Sequence, residues 1–127
     1  MQDREIYSFA LIRLVPVVER EEFINIGVIL FSKRKKFLGI KYHINRDRLS
    51  TFCESLDFDL LEDYLRGWED ICQGNPRGGP IGEFELADRF RWLAAAKSTV
   101  LQCSPTHPGL CTSPEKELDD LFHRYVL

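Results

Sequence analysis

The chain has 127 residues, of which 44% are apolar, 29% are charged and 12% are aromatic. A chain of this length buries enough surface to fold without a disulfide or a metal, and we expect one domain over residues 1–127. The composition excludes a disordered or fibrous protein. Because the sequence lacks an apolar run of about 18 residues and begins with mixed charges, we expect a cytoplasmic protein that does not enter a membrane.

The formal net charge of −3 is unevenly distributed along the chain. Residues 1–56 carry a net charge of +3, and residues 57–127 carry −6. The one concentrated basic cluster consists of Lys33, Arg34, Lys35 and Lys36. Such a cluster can contact a phosphate backbone or an acidic partner, or it can be the solvated tip of a hairpin. Nucleic-acid binding is the weaker hypothesis, because no aromatic residue alternates with these charges and the chain lacks a marked basic excess.

Three strands are predicted in the first third of the chain. Residues 5–15 are apolar along almost their whole length, which is typical of a strand buried on both faces, and Pro16 ends it. Residues 24–32 and 37–44 follow as strands of a hairpin that turns at residues 33–36. Strands joined this closely are antiparallel.

The clearest helix begins at a cap formed by Asp57 or Asp59 and ends near Cys72, because Gly74 follows. Its apolar residues recur every three or four positions and form one stripe. The stripe consists of Leu60, Leu61, Tyr64, Leu65, Trp68, Ile71 and Cys72. We expect both Trp68 and Trp92 in the core, since each lies at helical core spacing.

The remaining segments complete the pattern. Further helices are predicted over 46–54, with Asn45 or Asp47 as cap, over 86–95, and after Ser113, with Pro114 in the first turn. Residues 74–82 are predicted as a loop, residues 98–103 as a fourth strand and residues 104–113 as irregular. Strands precede most helices, and the early connections are too short for crossovers. This order favours an α+β fold, in which helices pack mainly on one face of an antiparallel sheet of about four strands.

Arg13 and Asn25 each interrupt an otherwise apolar strand, and the charged residues Glu19, Arg20 and Glu22 lie between them. A buried arginine needs a carboxylate partner, so one interpretation is that Glu19 or Glu22 pairs with Arg13 and fixes the connection. The alternative is a polar site at the strand ends in which a glutamate is a general base or a metal ligand.

The segment 98–111 is rich in hydroxyl groups and contains one histidine. In a functional interpretation His107 is a general base, Ser98, Ser104 or Thr106 binds phosphate, and Gln102 orients a ligand. In a structural interpretation the hydroxyls satisfy backbone groups and His107 packs on a neighbour. A metal site formed by Cys103, His107 and Cys111 is the weakest alternative, because their spacing fits no common zinc module.

Three segments resemble a known family, and they read Arg13-x-Val15-Pro16-x-x-Glu19-Arg20-x-Glu22-Phe23-x-Asn25-x-Gly27-Val28-Ile29-Leu30-Phe31, Arg89-Phe90-x-Trp92-Leu93, and Lys97-Ser98-Thr99-x-x-Gln102-x-Ser104-Pro105-x-His107-x-Gly109-Leu110. Over almost its full length the chain resembles the bacterial domain-of-unknown-function family numbered three thousand and thirty-seven. The resemblance implies a small cytoplasmic protein, often encoded beside a HipA-like serine/threonine kinase. It implies no catalytic residues.

The sequence contains no complete catalytic set, and its glycine-rich stretch 74–82 lacks a phosphate-loop signature, so we expect no cofactor. The preferred hypothesis is a protein-binding or regulatory module that binds a HipA-like kinase through the polar sheet end or the acidic C-terminal half. Self-association into a homo-oligomer stays open. The alternative is a small enzyme or a nucleotide- or phosphate-binding domain. In that case Arg13 holds a phosphate or carboxylate, and Glu22 or His107 moves protons.

Overall fold

A computed structural model describes residues 3–53, 55–95 and 100–127. Its strands are β1 (Glu5–Leu14), β2 (Ile24–Ser32), β3 (Phe37–Tyr42), β4 (Leu101–Cys103) and β5 (His107–Cys111). Its helices are α1 (Arg46–Phe52), α2 (Phe58–Gln73), α3 (Gly79–Gly82), α4 (Leu86–Ala94) and α5 (Pro114–Tyr125), with 3-10 turns at Val18–Arg20 and Pro76–Gly78. The predicted α+β class and antiparallel sheet are confirmed.

Strand β1 is central in the sheet. Strands β3, β2, β1 and β4 are neighbours in that order, and β5 also pairs with β1. Phe9 of β1 lies opposite Leu30 of β2 and opposite His107 of β5, so β5 lies on the same edge of β1 as β4. Every pairing is antiparallel. The second edge of β1 is thus filled by two short strands, β4 and β5, in one line.

The two faces of the sheet carry separate clusters of buried side chains. On one face, which we call the α2 face, Ile12 and Leu14 of β1 pack with side chains of α2 and α4. On the other, the α5 face, Tyr7 and Phe9 pack with side chains of α5. Since successive residues of a strand point to opposite faces, β1 contributes to both clusters. Helices α1 to α4 pack on the α2 face, as predicted for most helices, and α5 covers the α5 face.

The helix termini obey the local signals in the sequence. The side chains of Asn45, Asp57 and Ser113 accept hydrogen bonds from backbone N–H groups in the first turns of α1, α2 and α5. Gly74 ends α2 with a φ of 68°, in the left-handed region that glycine adopts without strain. The predicted stops and starts of these helices are therefore confirmed at single residues.

Three segments differ from their predictions. The predicted loop 74–82 contains a 3-10 turn and the short helix α3, and the predicted irregular segment 104–113 contains β5. Of the predicted fourth strand, residues 98 and 99 lie outside the described part of the chain, and β4 begins at Leu101.

Within the described ranges, no helix combines the length and the apolarity that crossing a bilayer requires.

Candidate functional site

Three of the candidate polar residues lie side by side across the sheet. Arg13 is opposite Asn25 on β2 and opposite Gln102 on β4. The β1–β2 register shifts beside Arg13, because Ile26 has no partner on β1, and this shift brings Asn25 onto the α5 face with Arg13. We call Asn25, Arg13 and Gln102 the polar row. The structure therefore joins two segments that are far apart in the sequence.

The guanidinium of Arg13 stacks on an aromatic ring. Its Cζ lies 4.0 Å from the centroid of the Phe23 ring, and Phe23 itself is 45% exposed. The Nε of Arg13 and the Oδ1 of Asn25 are buried and have no hydrogen-bond partner among the described residues. An unpaired donor beside an unpaired acceptor is uncommon in a folded protein.

The glutamates expected to pair with Arg13 lie elsewhere. The Oε1 of Glu22 is 2.5 Å from the Nε of Arg20, and both side chains are exposed. Glu19 is exposed in the 3-10 turn Val18–Arg20. The structural interpretation, an ion pair from Glu19 or Glu22 to Arg13, is therefore wrong for this structure. The connection turns sharply instead through Glu21, whose φ is +58°.

Ser104 has a structural role between β4 and β5. It is 2% exposed, and its Oγ accepts a hydrogen bond from the backbone N–H of Leu11 at 2.9 Å and donates to the carbonyl of Pro105 at 2.9 Å. The backbone N–H of Ser104 donates to the carbonyl of Leu11 at 2.8 Å. The hydroxyl and the backbone N–H of Ser104 therefore both hydrogen-bond strand β1, as the structural interpretation predicts. The buried hydroxyl is not accessible to a phosphate.

His107 is distant from the polar row. It lies opposite Phe9, and its ring centroid is 5.4 Å from that of Phe9. Arg13 lies four positions after Phe9 on β1, which corresponds to about 13 Å along a strand. Ser98 lies outside the described residues, and Thr106 is exposed. The enzyme hypothesis requires the candidate residues to line one pocket. Among the described candidates, only the three residues of the polar row lie together.

The metal alternative also fails on geometry. Cys103 lies opposite Ile12, and its Sγ donates to the carbonyl of Leu93 on the α2 face. His107 and Cys111 belong to β5 on the α5 face. In the described ranges, no three side chains of histidine, cysteine, aspartate or glutamate come together as metal ligands. None of the four cysteines forms a disulfide with a described residue.

The basic cluster forms the turn between β2 and β3, as predicted, and we call it the basic turn. Two of its members face carboxylates of the first strand region: Lys35 Nζ is 3.3 Å from an oxygen of Asp3, and Arg34 Nε is 3.9 Å from one of Glu5. Lys33 and Lys36 are exposed and have no ion pair with a described residue. The turn therefore keeps uncompensated positive charge.

A patch of aliphatic side chains beside the basic turn was not anticipated. Ile6 of β1 and Leu110 of β5 lie directly opposite each other and are 67% and 58% exposed. Pro108, two residues earlier on β5, is also exposed. By strand alternation all three point to the α2 face, at the end that α2 and α4 leave uncovered. We call them the strand patch, and a cleft of about 170 Å³ joins Ile6 to Lys33 and Arg34.

A second exposed apolar surface follows the far end of β1. A cleft of about 230 Å³ is lined by Pro16, Leu56, Leu60, Tyr64 and Val100, among others. Leu60 and Tyr64 are 49% and 50% exposed, so the apolar stripe predicted for α2 is too wide by these two residues. We call this surface the apolar cleft.

Arg89 has a role that the sequence did not reveal. Its Nη1 donates to the carbonyls of Ile71 and Cys72 at 2.9 and 3.2 Å. A cation at these carbonyls complements the negative C-terminal end of the α2 dipole.

Burial raises the pKa of the Cys72 thiol to about 12, so this cysteine stays protonated at neutral pH.

Comparison with known proteins gives one match. A family model described as Protein of unknown function (DUF3037) matches residues 9–126, a range that includes the whole polar row but begins after Ile6. No curated protein and no solved structure matches the chain. The match confirms the resemblance seen in the sequence motifs. The chain therefore belongs to the family described as Protein of unknown function (DUF3037).

Proposed function

We propose that this protein is a protein-binding module and that the strand patch is its contact surface. The observation that carries the proposal is the exposure of Ile6 and Leu110, two opposed aliphatic side chains on a sheet face that is otherwise covered by helices. Contiguous exposed apolar surface next to charged groups is typical of an interaction site.

The surroundings of the patch define the chemistry of the partner. Lys33 and Lys36 lie in the adjacent turn without ion pairs among the described residues, and the cleft beside Ile6 is lined by Lys33 and Arg34. A segment that presents apolar side chains flanked by carboxylates complements this surface. The sequence resemblance supplies the partner to test first, a HipA-like serine/threonine kinase, and we place the complex in the cytoplasm.

The test is co-purification of the tagged full chain with such a kinase, with parent and variants compared at one salt concentration. We expect the parent to retain the kinase and the double variant Ile6→Thr/Leu110→Thr to lose it, since threonine keeps strand propensity and removes apolar area. The matched control is Val17→Thr/Val100→Thr, which removes similar exposed side chains near the apolar cleft.

The possible results of this experiment distinguish the strand patch from the apolar cleft and test the identity of the partner. Loss of binding in the control double variant alone would assign the contact to the apolar cleft and not to the strand patch. A parent that stays a partnerless monomer in the presence of the kinase would remove the support for this partner. Raising the salt concentration should weaken the complex, because the basic turn contributes exposed charges.

A further inference from the structure

Arg13 is a half-buried cation without a counter-charge in the described part of the chain. Its guanidinium makes no ion pair or hydrogen bond with the described residues and contacts the face of Phe23. Removing a charge from water is costly unless a group of opposite charge is present. A bound carboxylate or phosphate is a group that can supply the counter-charge of such an arginine.

The donors of Arg13 are arranged for a planar group. Its Nε is buried without a partner, which leaves the two terminal amino groups as the accessible donors. The Phe23 ring holds the guanidinium plane from one side. A fixed guanidinium fork matches the two oxygens of a carboxylate or of a phosphate.

The neighbours in the polar row supply amide groups. Asn25 and Gln102 flank Arg13 on the two adjoining strands, and the side-chain NH2 group of Asn25 is a donor that suits an oxyanion. The side chains of α5 pack over Tyr7, Phe9 and Leu11, so the row lies beyond the part of this face that α5 covers.

We infer that the polar row binds an oxyanion, the carboxylate or phosphate group of a small molecule. Arg13 supplies the positive charge, Phe23 orients it, and the side-chain NH2 group of Asn25 donates a hydrogen bond to the bound group. The strand patch lies on the opposite face of the sheet, so this inference goes beyond the proposed protein contact and is tested independently of it.

The experiment is an NMR titration of the ¹⁵N-labelled full chain with inorganic phosphate in one arm and succinate in the other, at an ionic strength held constant with sodium chloride. We expect saturable movement of the Asn25 side-chain amide and of the Arg13 Nε–Hε resonance. The arm that saturates at the lower concentration identifies the source of the oxyanion. Arg13→Met should weaken binding by about tenfold or more, read at Asn25.

The control variant is Arg20→Met, which removes an exposed arginine that pairs with Glu22 and should leave the affinity unchanged. Shifts that do not saturate, or that persist in Arg13→Met, overturn the inference. Should Arg13→Met fail to fold, Arg13→Lys keeps the charge without the planar fork. We expect several-fold weaker binding by Arg13→Lys, and parental affinity in this variant overturns the fork geometry.

Discussion

Tyr7 connects the first strand to the last helix. Its hydroxyl donates to an oxygen of Glu117 at 2.6 Å, and its ring lies over Gly109 on β5. Burial and the neighbouring Glu117 carboxylate raise the pKa of Tyr7 above its ordinary value of 10.0. The folded state therefore holds the tyrosine proton more tightly than the unfolded chain does.

This difference predicts a loss of stability in alkali. Above pH 10.0, the ordinary value, the unfolded chain releases the Tyr7 proton first, so the free energy of unfolding falls as the pH rises toward the raised folded-state pKa. We expect Tyr7→Phe to be less stable than the parent at neutral pH, because it loses the hydrogen bond, but to have a flatter profile above pH 10.0. Urea unfolding across this range measures it.

Tyr64→Phe is the control for the lost hydrogen bond, because Tyr64 is 50% exposed and its hydroxyl makes no hydrogen bond with the described residues. It should leave the free energy of unfolding at neutral pH within about 0.5 kcal/mol of that of the parent. Parallel slopes for Tyr7→Phe and the parent would contradict the assignment to Tyr7.

The Tyr7 ring also restricts which residue fits at position 109, where the chain has Gly109. A Cβ at this position would lie 2.4 Å from the tyrosine ring, closer than side chains approach. We expect Gly109→Ala to lower the free energy of unfolding by about 1–3 kcal/mol. At Gly67 in α2 a Cβ would meet no atom within 4 Å, so Gly67→Ala should raise it by about 0.5–1 kcal/mol. Equal effects of the two substitutions would contradict the packing argument.

At the scale of elements, β4 and β5 act as one interrupted strand along β1. Ser104 bridges the interruption, because its hydroxyl takes the place of a backbone acceptor for Leu11. Pro108 is tolerated in β5 because the strand lies at the edge of the sheet, where a missing N–H costs little. Ser104 was one of the candidate phosphate ligands, and its hydrogen bonds in the sheet explain it without a ligand.

Ser104→Ala tests the structural role. It leaves the partly buried N–H of Leu11 without an acceptor, and we expect a loss of about 1–3 kcal/mol in unfolding free energy. Thr106→Ala, at an exposed hydroxyl two residues later, should change stability by less than about 0.5 kcal/mol. Thermal and urea unfolding of both variants measure the difference, and equal stabilities would contradict the bridging role of Ser104.

The sequence predicts elements well where a single periodicity dominates. Strands β1 to β3 and helices α2 and α5 follow from apolar runs, stripes and caps, and their bounds agree with the structure within a few residues. Strand β5 was missed because Pro105, Pro108 and Gly109 are residues typical of turns. Trp92 is 38% exposed although its spacing predicted a core position, since helical spacing alone does not show how wide the covered stripe is.

The candidate site was predictable only in part. An arginine and an asparagine inside apolar strands marked Arg13 and Asn25, but strand register decided that Gln102 joins them and His107 does not. Strands β4 and β5 pair with β1 from far along the chain, so the turn geometry that fixes the register of a hairpin does not fix theirs. The strand patch was missed for a related reason: the alternation that buries Ile12 also places Ile6 on the same face, and only the extent of the helices leaves Ile6 uncovered.

At the scale of the whole molecule, one sheet supports two cores. Neighbouring residues of β2 illustrate this, because Ile29 belongs to the cluster on the α2 face and Leu30 to the cluster on the α5 face. Neither cluster can lose its packing without disturbing strands that the other cluster needs. We therefore expect the described parts of the chain to unfold as one cooperative unit.

Two core variants test this cooperativity. Leu65→Ala opens a cavity on the α2 face and Leu121→Ala one on the α5 face, at an expected cost of about 2–5 kcal/mol each. In both variants the transitions seen by far-UV circular dichroism and by fluorescence of Trp68 and Trp92 should coincide. An earlier loss of helical signal in Leu121→Ala, with the tryptophan signal unchanged, would show that α5 unfolds separately.

The position of β1 at the centre of the sheet also bears on how the protein is made. A ribosome delivers β1 and β2 well before the strands that cover the second edge of β1, which begin only at Leu101. At about 5–20 residues per second, that edge waits for roughly 5–20 seconds during synthesis. An unpaired apolar edge can recruit a strand from another nascent chain. Slow translation of the middle of the message would therefore favour aggregation, and a chaperone that shields the first strand would raise the yield.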